Sequence, residues 1–507
     1  MAISTSEIRA AGYTFLLQKY QLSTIPNWHR SFVSNSSNTN HHAAAVEGQT
    51  ETIFPATYWP GDDDGDHLEF AIKYDGINLE CLAAILYAVS EKELSAWISS
   101  KPIGKYVRKI WFFYEYLLGK TLPIADLSQG NYIELLDSRE YYTIENGQRN
   151  KRQRIIQNLL GGSSFCPIVR RSQKLSEMET IDIAERCKNI VHDYPPEILK
   201  RALPYLYKKE TKSSFQIENV KPSETRTEKY IGLLQIAELQ DYCTKPSLVD
   251  LQNMIVDPRF QESDYRTFQN YVGQSVSLQR QIVHYISPKP ENIVDLMNGL
   301  LECHQIMKTG GVHAVIHAAV ISYGFVFLHP FGDGNGRIHR FLIHNIMHIR
   351  NVIPKGFMFP VSAAMLKNPT LYDHSLEVFS RPLMQLLDYE MDAAERISVH
   401  GESVQFYRHI DMTRQAESLF EFVMLTIDHE LVEELDFLAS YDQTKHAMQE
   451  IVDMPDNLID LLIKFCLQNN GHLSARKRVS HFPFLSDTEV EQLEKAVSEG
   501  YQRNEMS

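Results

Sequence analysis

Cysteine is scarce in this chain. Its six cysteines (Cys81, Cys166, Cys187, Cys243, Cys303, Cys466) are scattered over 507 residues, with no Cys-x-x-Cys pair. That spacing excludes a zinc ribbon and makes a disulfide framework improbable at this size; buried free thiols in a reducing compartment are expected. Positive charge is also in deficit: 50 Lys and Arg against 64 Asp and Glu leave a net charge of −14. Such a balance does not suit broad binding to nucleic acid or anionic membranes, so neither is expected as a partner. The N-terminus lacks a basic stretch followed by an apolar run, which argues against a secretory signal and for a cytoplasmic location. Residues 311–328 are the one stretch apolar enough to suggest a membrane span. It contains His313 and His317 and reads better as the central buried helix of a bundle.

A chain of 507 residues exceeds what one core organises, and about two to four domains are expected. The pattern is mainly α. Residues 1–75 are poorly patterned, with a polar loop at 35–42 and an acidic turn at 62–66 whose calcium-loop likeness fails at His67 and Lys73. Helical stripes follow at Leu82, Ile85, Leu86, Val89 and at Val107, Ile110, Trp111, Tyr114. Lys101, Lys105, Arg108 and Lys109 read as a solvated face. Breakers at Gly161-Gly162 and Pro195-Pro196 suggest a boundary. The division expected is an N-terminal, mostly helical domain at 1–195, a core at 196–390, and a helical C-terminal domain at 391–507. In the last, Ser486-Asp487-Thr488-Glu489 is a capping box for a helix closed by Gly500.

The chemistry concentrates in His329-Pro330-Phe331-Gly332-Asp333-Gly334-Asn335-Gly336-Arg337-Ile338-His339-Arg340. Asp333 to Gly336 should form a turn feeding a helix that begins near Arg337. Glycines allow close backbone approach, and a helix start presents free N–H groups, so the turn is an anion hole. Arg337 and Arg340, three apart, share a helix face and suit phosphate oxygens. Asp333 is a hard oxygen ligand for Mg²⁺, and His329 can take a proton near neutral pH. The segment is not a Walker loop, since no Gly-Lys-Ser/Thr follows, nor a dinucleotide fingerprint, since an apolar helix precedes it.

This stretch resembles the signature of the Fic (Fido) family, as do the apolar helix before it (312–328), the helix after it, and an upstream stretch at 271–285 suited to a β-hairpin flap. The resemblance covers roughly residues 210–390. It implies a Fic-type helical bundle core that transfers AMP from ATP to a Ser, Thr or Tyr hydroxyl of a protein, releasing pyrophosphate. His329 would be the general base and Phe331 an apolar anchor. Asp333 would hold Mg²⁺, Gly334, Asn335 and Gly336 would cradle phosphates, and Arg337 and Arg340 would bind the β- and γ-phosphates. Tyr372 falls where family members place an aromatic against the nucleotide.

Ser214-xxx-Glu218-Asn219 resembles the family's inhibitory motif, with an inhibitory helix at about 213–220. The resemblance implies that Glu218 occupies Arg340 and displaces the γ-phosphate. Such a brake would act in cis or by exchange between subunits, leaving a homodimer open. Within the flap, Val272, Val276 and Leu278 alternate, as a strand that aligns a target peptide would. Arg476, Lys477 and Arg478 give the tail a faint winged-helix character, read here as packing or partner contact. Two other functions stay open: removal of AMP with Glu218 orienting water, and a nucleotide-sensing regulatory protein.

Overall fold

The computed structural model describes residues 8–35, 41–46, 49–277, 280–354 and 357–502. Helices dominate, and the strands are short. Among the described residues, no helix is long and apolar enough to cross a membrane.

The chain divides into two compact units. The first comprises Met1–Ile181, Ile236–Arg350 and Asn368–Phe420. It opens with a four-stranded sheet in a stretch whose sequence shows no clear period. Ile8–Ala11 pairs antiparallel with His29–Ser34, which pairs in parallel with Gln49–Phe54, and His41–Val46 lies at the edge. Asp62 to Asp66 is not only a turn: a helix, Asp64–Phe70, starts within it, with Asp64 and Asp66 in the first turn where carboxylates favour the helix dipole.

The helices Leu79–Ala88, Glu91–Ser100 and Lys105–Leu118 follow the expected stripes, and Leu82, Ile85, Ile110 and Trp111 join one apolar core. The basic cluster departs from expectation, because Arg108 and Lys109 are each only 4% exposed. Arg108 donates through Nε to the Gln153 carbonyl at 2.8 Å, and through a terminal nitrogen to the carbonyls of Asn131 and Arg154. A guanidinium thus satisfies carbonyls beside the small sheet of Ile133–Glu134, Gln148–Asn150 and Ile155–Gln157. Burial pushes the Lys109 amine down to about 8. All six cysteines are buried and unbridged.

The centre of this unit is the helix Ala314–Leu328, whose every residue is buried. A helix buried on every side must be enclosed by others, and here Pro290–Thr309 and Asn335–Ile349 pack against it. The hairpin Tyr271–Ser277 and Arg280–Ile286 forms the flap. Tyr285, at its base, is buried and donates its hydroxyl proton to the Phe327 carbonyl.

The second unit comprises Asp182–Gln235, Asn351–Lys367 and Glu421–Ser507. Its long helix Pro196–Ile217 packs on Val361–Lys367 and Val432–Ile451. Glu210, fully buried, accepts from the Ser362 N–H at 2.8 Å and from the Ser362 hydroxyl. The capping box forms as read: the Ser486 hydroxyl accepts from the Glu489 N–H, and the Glu489 carboxylate accepts from the Ser486 N–H. Gly500 does not close that helix, which runs Asp487–Gln502. Glycine is there because the helix packs closely: a Cβ would lie 2.0 Å from the Thr444 hydroxyl oxygen. Ser474 precedes the short helix Ala475–His481 without a side-chain capping bond, and no strand lies C-terminal to Val399 among the described residues.

Candidate active site

The apolar helix ends at Leu328 because His329 turns left-handed, with φ 50°. That conformation costs a non-glycine residue of order 1–3 kcal/mol and persists only where the surroundings fix it. They do so through Arg266, which is 3% exposed. Its Nε donates to the His329 carbonyl at 2.8 Å and its backbone N–H to the Pro330 carbonyl at 2.8 Å. Its remaining nitrogens donate to the carbonyls of Phe268 and Pro288 and to the Ser287 hydroxyl. Burial lowers this guanidinium to about 10, still charged at neutral pH.

The His329 ring is set by the same turn. Its Nδ1 lies 2.8 Å from the Val326 carbonyl, which can only accept, so the proton sits on Nδ1 and Nε2 is the basic nitrogen. Phe331 is fully buried against Phe325 and Tyr265, an apolar anchor for the loop. Asn335 closes the loop on itself: its Nδ2 donates to the Phe331 carbonyl at 2.7 Å and its Oδ1 accepts from the Phe331 N–H at 3.1 Å. The side-chain amide is thereby occupied, and a ligand would meet the backbone of Asn335 instead.

Gly334 takes φ 91° and caps the helix Asn335–Ile349. The first hydrogen bond of that helix runs from Ile338 N–H to the Gly334 carbonyl. The N–H groups of Asn335, Gly336 and Arg337 therefore lie at the open end of the helix, where the dipole favours an anion. The helix starts two residues earlier than Arg337.

Arg337 and Arg340 are each 1% exposed, but they face different partners. Arg337 is bound to Asp333 Oδ1 at 2.6 Å, while Arg340 has a terminal nitrogen 3.5 Å from the Tyr372 hydroxyl. Asp333 Oδ1 also accepts from the Gly334 N–H at 2.6 Å. The Asp333 side chain is 45% exposed, and its Oδ2 makes no hydrogen bond among the described residues. One half-exposed carboxylate oxygen beside a phosphate cradle fits a Mg²⁺ that takes its other ligands from phosphates and water.

The structure thus brings His329, Asp333, Gly334, Asn335, Gly336, Arg337, Arg340 and Tyr372 into one neighbourhood. Ser214, Glu218 and Asn219 belong to the second unit. Ser214 is buried, with its hydroxyl 3.4 Å from that of Tyr230. The helix stops at Ile217, short of the expected 220, because Asn219 adopts φ 55° and Val220 N–H returns to the Phe215 carbonyl. Asparagine tolerates this left-handed ending, so Glu218 stands at the helix end. Val272 in the flap is 42% exposed; the Val276 side chain and Leu278 lie outside the described residues.

Three residues of the loop's setting carry no signal in the sequence. Besides Arg266, Glu262 Oε1 accepts from the Gly332 N–H at 2.7 Å, and Asn270 donates to the Phe331 carbonyl at 3.1 Å. Burial, and to a lesser degree the charge of Asp333, raise the Glu262 carboxyl. His339, fully buried, packs its ring edge-on to Tyr323 at 4.7 Å, and burial lowers it to about 3, so it is neutral.

An imidazole with a basic Nε2, a helix start with open N–H groups, a half-exposed carboxylate and buried arginines lie together on a helical core, an arrangement with the chemistry to hold a phosphate. Residues 242–347 match the Fic/DOC family, so the chain carries a Fic/DOC-type domain over that stretch. It is 30% identical over 122 residues to a protein named protein adenylyltransferase Fic from Drosophila mojavensis. Proteins of that name from Aedes aegypti and Culex quinquefasciatus are 28% and 30% identical over 122 and 125 residues. These matches cover 24% of this chain and 22% of each relative. The structure of a Fic family protein from Desulfovibrio desulfuricans G20 aligns with 66% of this chain and 89% of its own, at 16% identity and a TM-score of 0.36, a likeness too loose to weigh.

Proposed function

We propose that this protein moves AMP from ATP to a hydroxyl side chain of a protein, itself included. The observation that carries the reading is the His329 turn, which aims a basic Nε2 from a position directly before the anion-binding start of the helix Asn335–Ile349. The names of the relatives support the same reaction class. In the reaction, the acceptor oxygen attacks the α-phosphorus, the bond from that phosphorus to the α,β-bridging oxygen breaks, and pyrophosphate leaves. The hydroxyl proton passes to His329 Nε2. Most of the acceleration comes from holding the polyphosphate in line and neutralising its charge.

Arg340 and the N–H groups at the helix start would bind the phosphates. Arg337 would first have to loosen its hold on Asp333. Asp333 would hold Mg²⁺, whose positive charge would offset that of the phosphates. Glu218 is read as the brake on the strength of the Ser214-xxx-Glu218-Asn219 pattern.

The test uses ATP labelled on the α- or the γ-phosphate, with Mg²⁺ and either the wild type or Glu218→Gly. Label passing from the α-phosphate to protein, absent with His329→Ala, is the expected result. Label passing only from the γ-phosphate would replace the reading with a kinase. Loss of AMP from a pre-modified target, abolished in Glu218→Gly, would replace it with removal of AMP. No transfer by either protein would leave nucleotide sensing.

A further inference from the structure

The described residues hold one group of histidine, cysteine and acidic side chains spaced to grip a metal ion. Asp241, Cys243 and His304 each offer one ligand atom, and these atoms lie within 4.8 Å of one another. Cys243 is 3% exposed and His304 is fully buried, while the Asp241 side chain is 19% exposed and gives a way in. Asp241 and Cys243 stand on the loop before the helix Lys245–Ile255, and His304 on the helix Pro290–Thr309. Asn345 fixes that loop: it accepts from the Tyr242 N–H at 3.1 Å and donates to the carbonyls of Ala237 and Gln240 at 2.7 and 2.8 Å.

The contacts inside the group decide which atoms share a common point. The Cys243 N–H holds Asp241 Oδ1 at 2.9 Å and leaves Oδ2 for other partners. His304 Nε2 lies 2.8 Å from Oδ2, and the Cys243 thiol is hydrogen-bonded to the same carboxylate. The His304 tautomer follows from a buried chain. Arg350, whose guanidinium can only donate, lies 2.9 Å from His317 Nδ1, so His317 carries its proton on Nε2 and gives it to His304 Nδ1 at 3.0 Å. His304 therefore holds its own proton on Nε2, pointed at Asp241. One carboxylate thus receives an N–H and an S–H. Those two protons, and the Lys308 ammonium 2.8 Å from Oδ2, fill the place a dication would take.

We propose that Asp241, Cys243 and His304 form a zinc site that clips this loop to the helix Pro290–Thr309. A thiolate, an imidazole and a carboxylate suit Zn²⁺, whereas Mg²⁺ and Ca²⁺ take oxygen ligands. Tetrahedral zinc with ligands about 2.0–2.3 Å away spaces them roughly 3.3–3.8 Å apart, so adjustments of about 1 Å suffice. The charges close as well: Zn²⁺ with one carboxylate, one thiolate and a neutral imidazole is neutral, as a buried site requires. Binding sends the Cys243 thiol proton to solvent and moves the protons of His304 and His317 each to the Nδ1 of its own ring. Arg350 then turns from His317 and keeps the carbonyls of Met307 and Val312. Lys308, whose side chain is 36% exposed, swings into water, and a water molecule completes the tetrahedron. The site uses none of residues 329–340 and is independent of the proposed AMP transfer.

Titration of the reduced full-length protein with Co²⁺, and with Zn²⁺ against a chromophoric chelator, tests it. One Zn²⁺ per chain should bind with a dissociation constant below about 1 µM. Co²⁺ should give a thiolate charge-transfer band, which an ion held by Asp333 alone cannot produce. Cys243→Ser should abolish that band and weaken Zn²⁺ binding at least about 100-fold, and His304→Gln should weaken it at least about ten-fold. Absence of Zn²⁺ binding at that affinity would overturn the proposal, as would a band or an affinity that Cys243→Ser leaves unchanged. If His304→Gln does not fold, Cys243→Ser decides, since a hydroxyl keeps the hydrogen bond to Asp241.

Discussion

Replacing Arg266 by Met should disable the candidate active site without touching any residue of the 329–340 motif. The side chain makes four hydrogen bonds, to the carbonyls of His329, Phe268 and Pro288 and to the Ser287 hydroxyl, at 2.6–2.9 Å. At about 1 kcal/mol each, their loss costs roughly 4 kcal/mol. If half of that falls on the loop rather than on the whole unit, the misplaced population of the His329 turn rises about thirty-fold. Misplacing a catalytic group by about 1 Å can itself cost about 100-fold in rate. The two effects together predict a fall in α-phosphate transfer of at least about 100-fold, with amide hydrogen exchange of residues 329–336 accelerated. Arg266→Lys should recover only part of the loss, because one ammonium cannot reproduce a planar fork that spans three carbonyls. Wild-type transfer and wild-type exchange in Arg266→Met would refute the reasoning, since His329 would then hold its strained turn unaided.

Asp333→Ala should raise the Mg²⁺ concentration needed for half-maximal α-phosphate transfer at least about ten-fold, because it removes the proposed protein ligand; an unchanged Mg²⁺ titration would discard that role. Glu218→Gly should raise transfer strongly, and equal activity of the two proteins would discard the brake. Gly500→Ala should lower the stability of the second unit by about 1–3 kcal/mol in urea unfolding, since its Cβ would sit 2.0 Å from the Thr444 hydroxyl oxygen in a packed helix interface; an unchanged midpoint would show that Thr444 moves aside at no cost. Buried Asp75 and Glu80 are pushed up to about 7 and about 8. The folded protein therefore holds protons that the unfolded chain has already lost above about pH 4. Their contribution is full below that value and disappears as the pH rises through 7 and 8. Thermal melting from about pH 5 to 8 should show part of this decline, and Glu80→Gln should remove its share; identical profiles for both proteins would exclude Glu80 as a source.

The contrast between what the sequence discloses and what it hides has a physical basis in this chain. His329, Asp333 and Arg340 stand out because titratable and charged side chains sit within twelve contiguous residues, next to glycines that suit a turn. The helix Ala314–Leu328 could be read because a mostly apolar stretch has few places to go. The clamp around the loop could not. Arg266, Glu262 and Asn270 act on backbone carbonyls and N–H groups more than 60 residues away, and a backbone acceptor leaves no mark on the residue that supplies it. Arg108 failed in the opposite direction. Its charge signalled water, whereas its function is to satisfy carbonyls in the interior. The first sheet was hidden because the parallel pairing of His29–Ser34 with Gln49–Phe54 joins strands without a tight turn between them, and neither strand alternates cleanly. Asn219 shows how the two kinds of information overlap: a residue singled out for a regulatory motif is also the left-handed residue that ends its helix. A variant at Asn219 would therefore disturb the helix end and the proposed brake together, which is why Glu218, whose φ is ordinary, is the cleaner position to test.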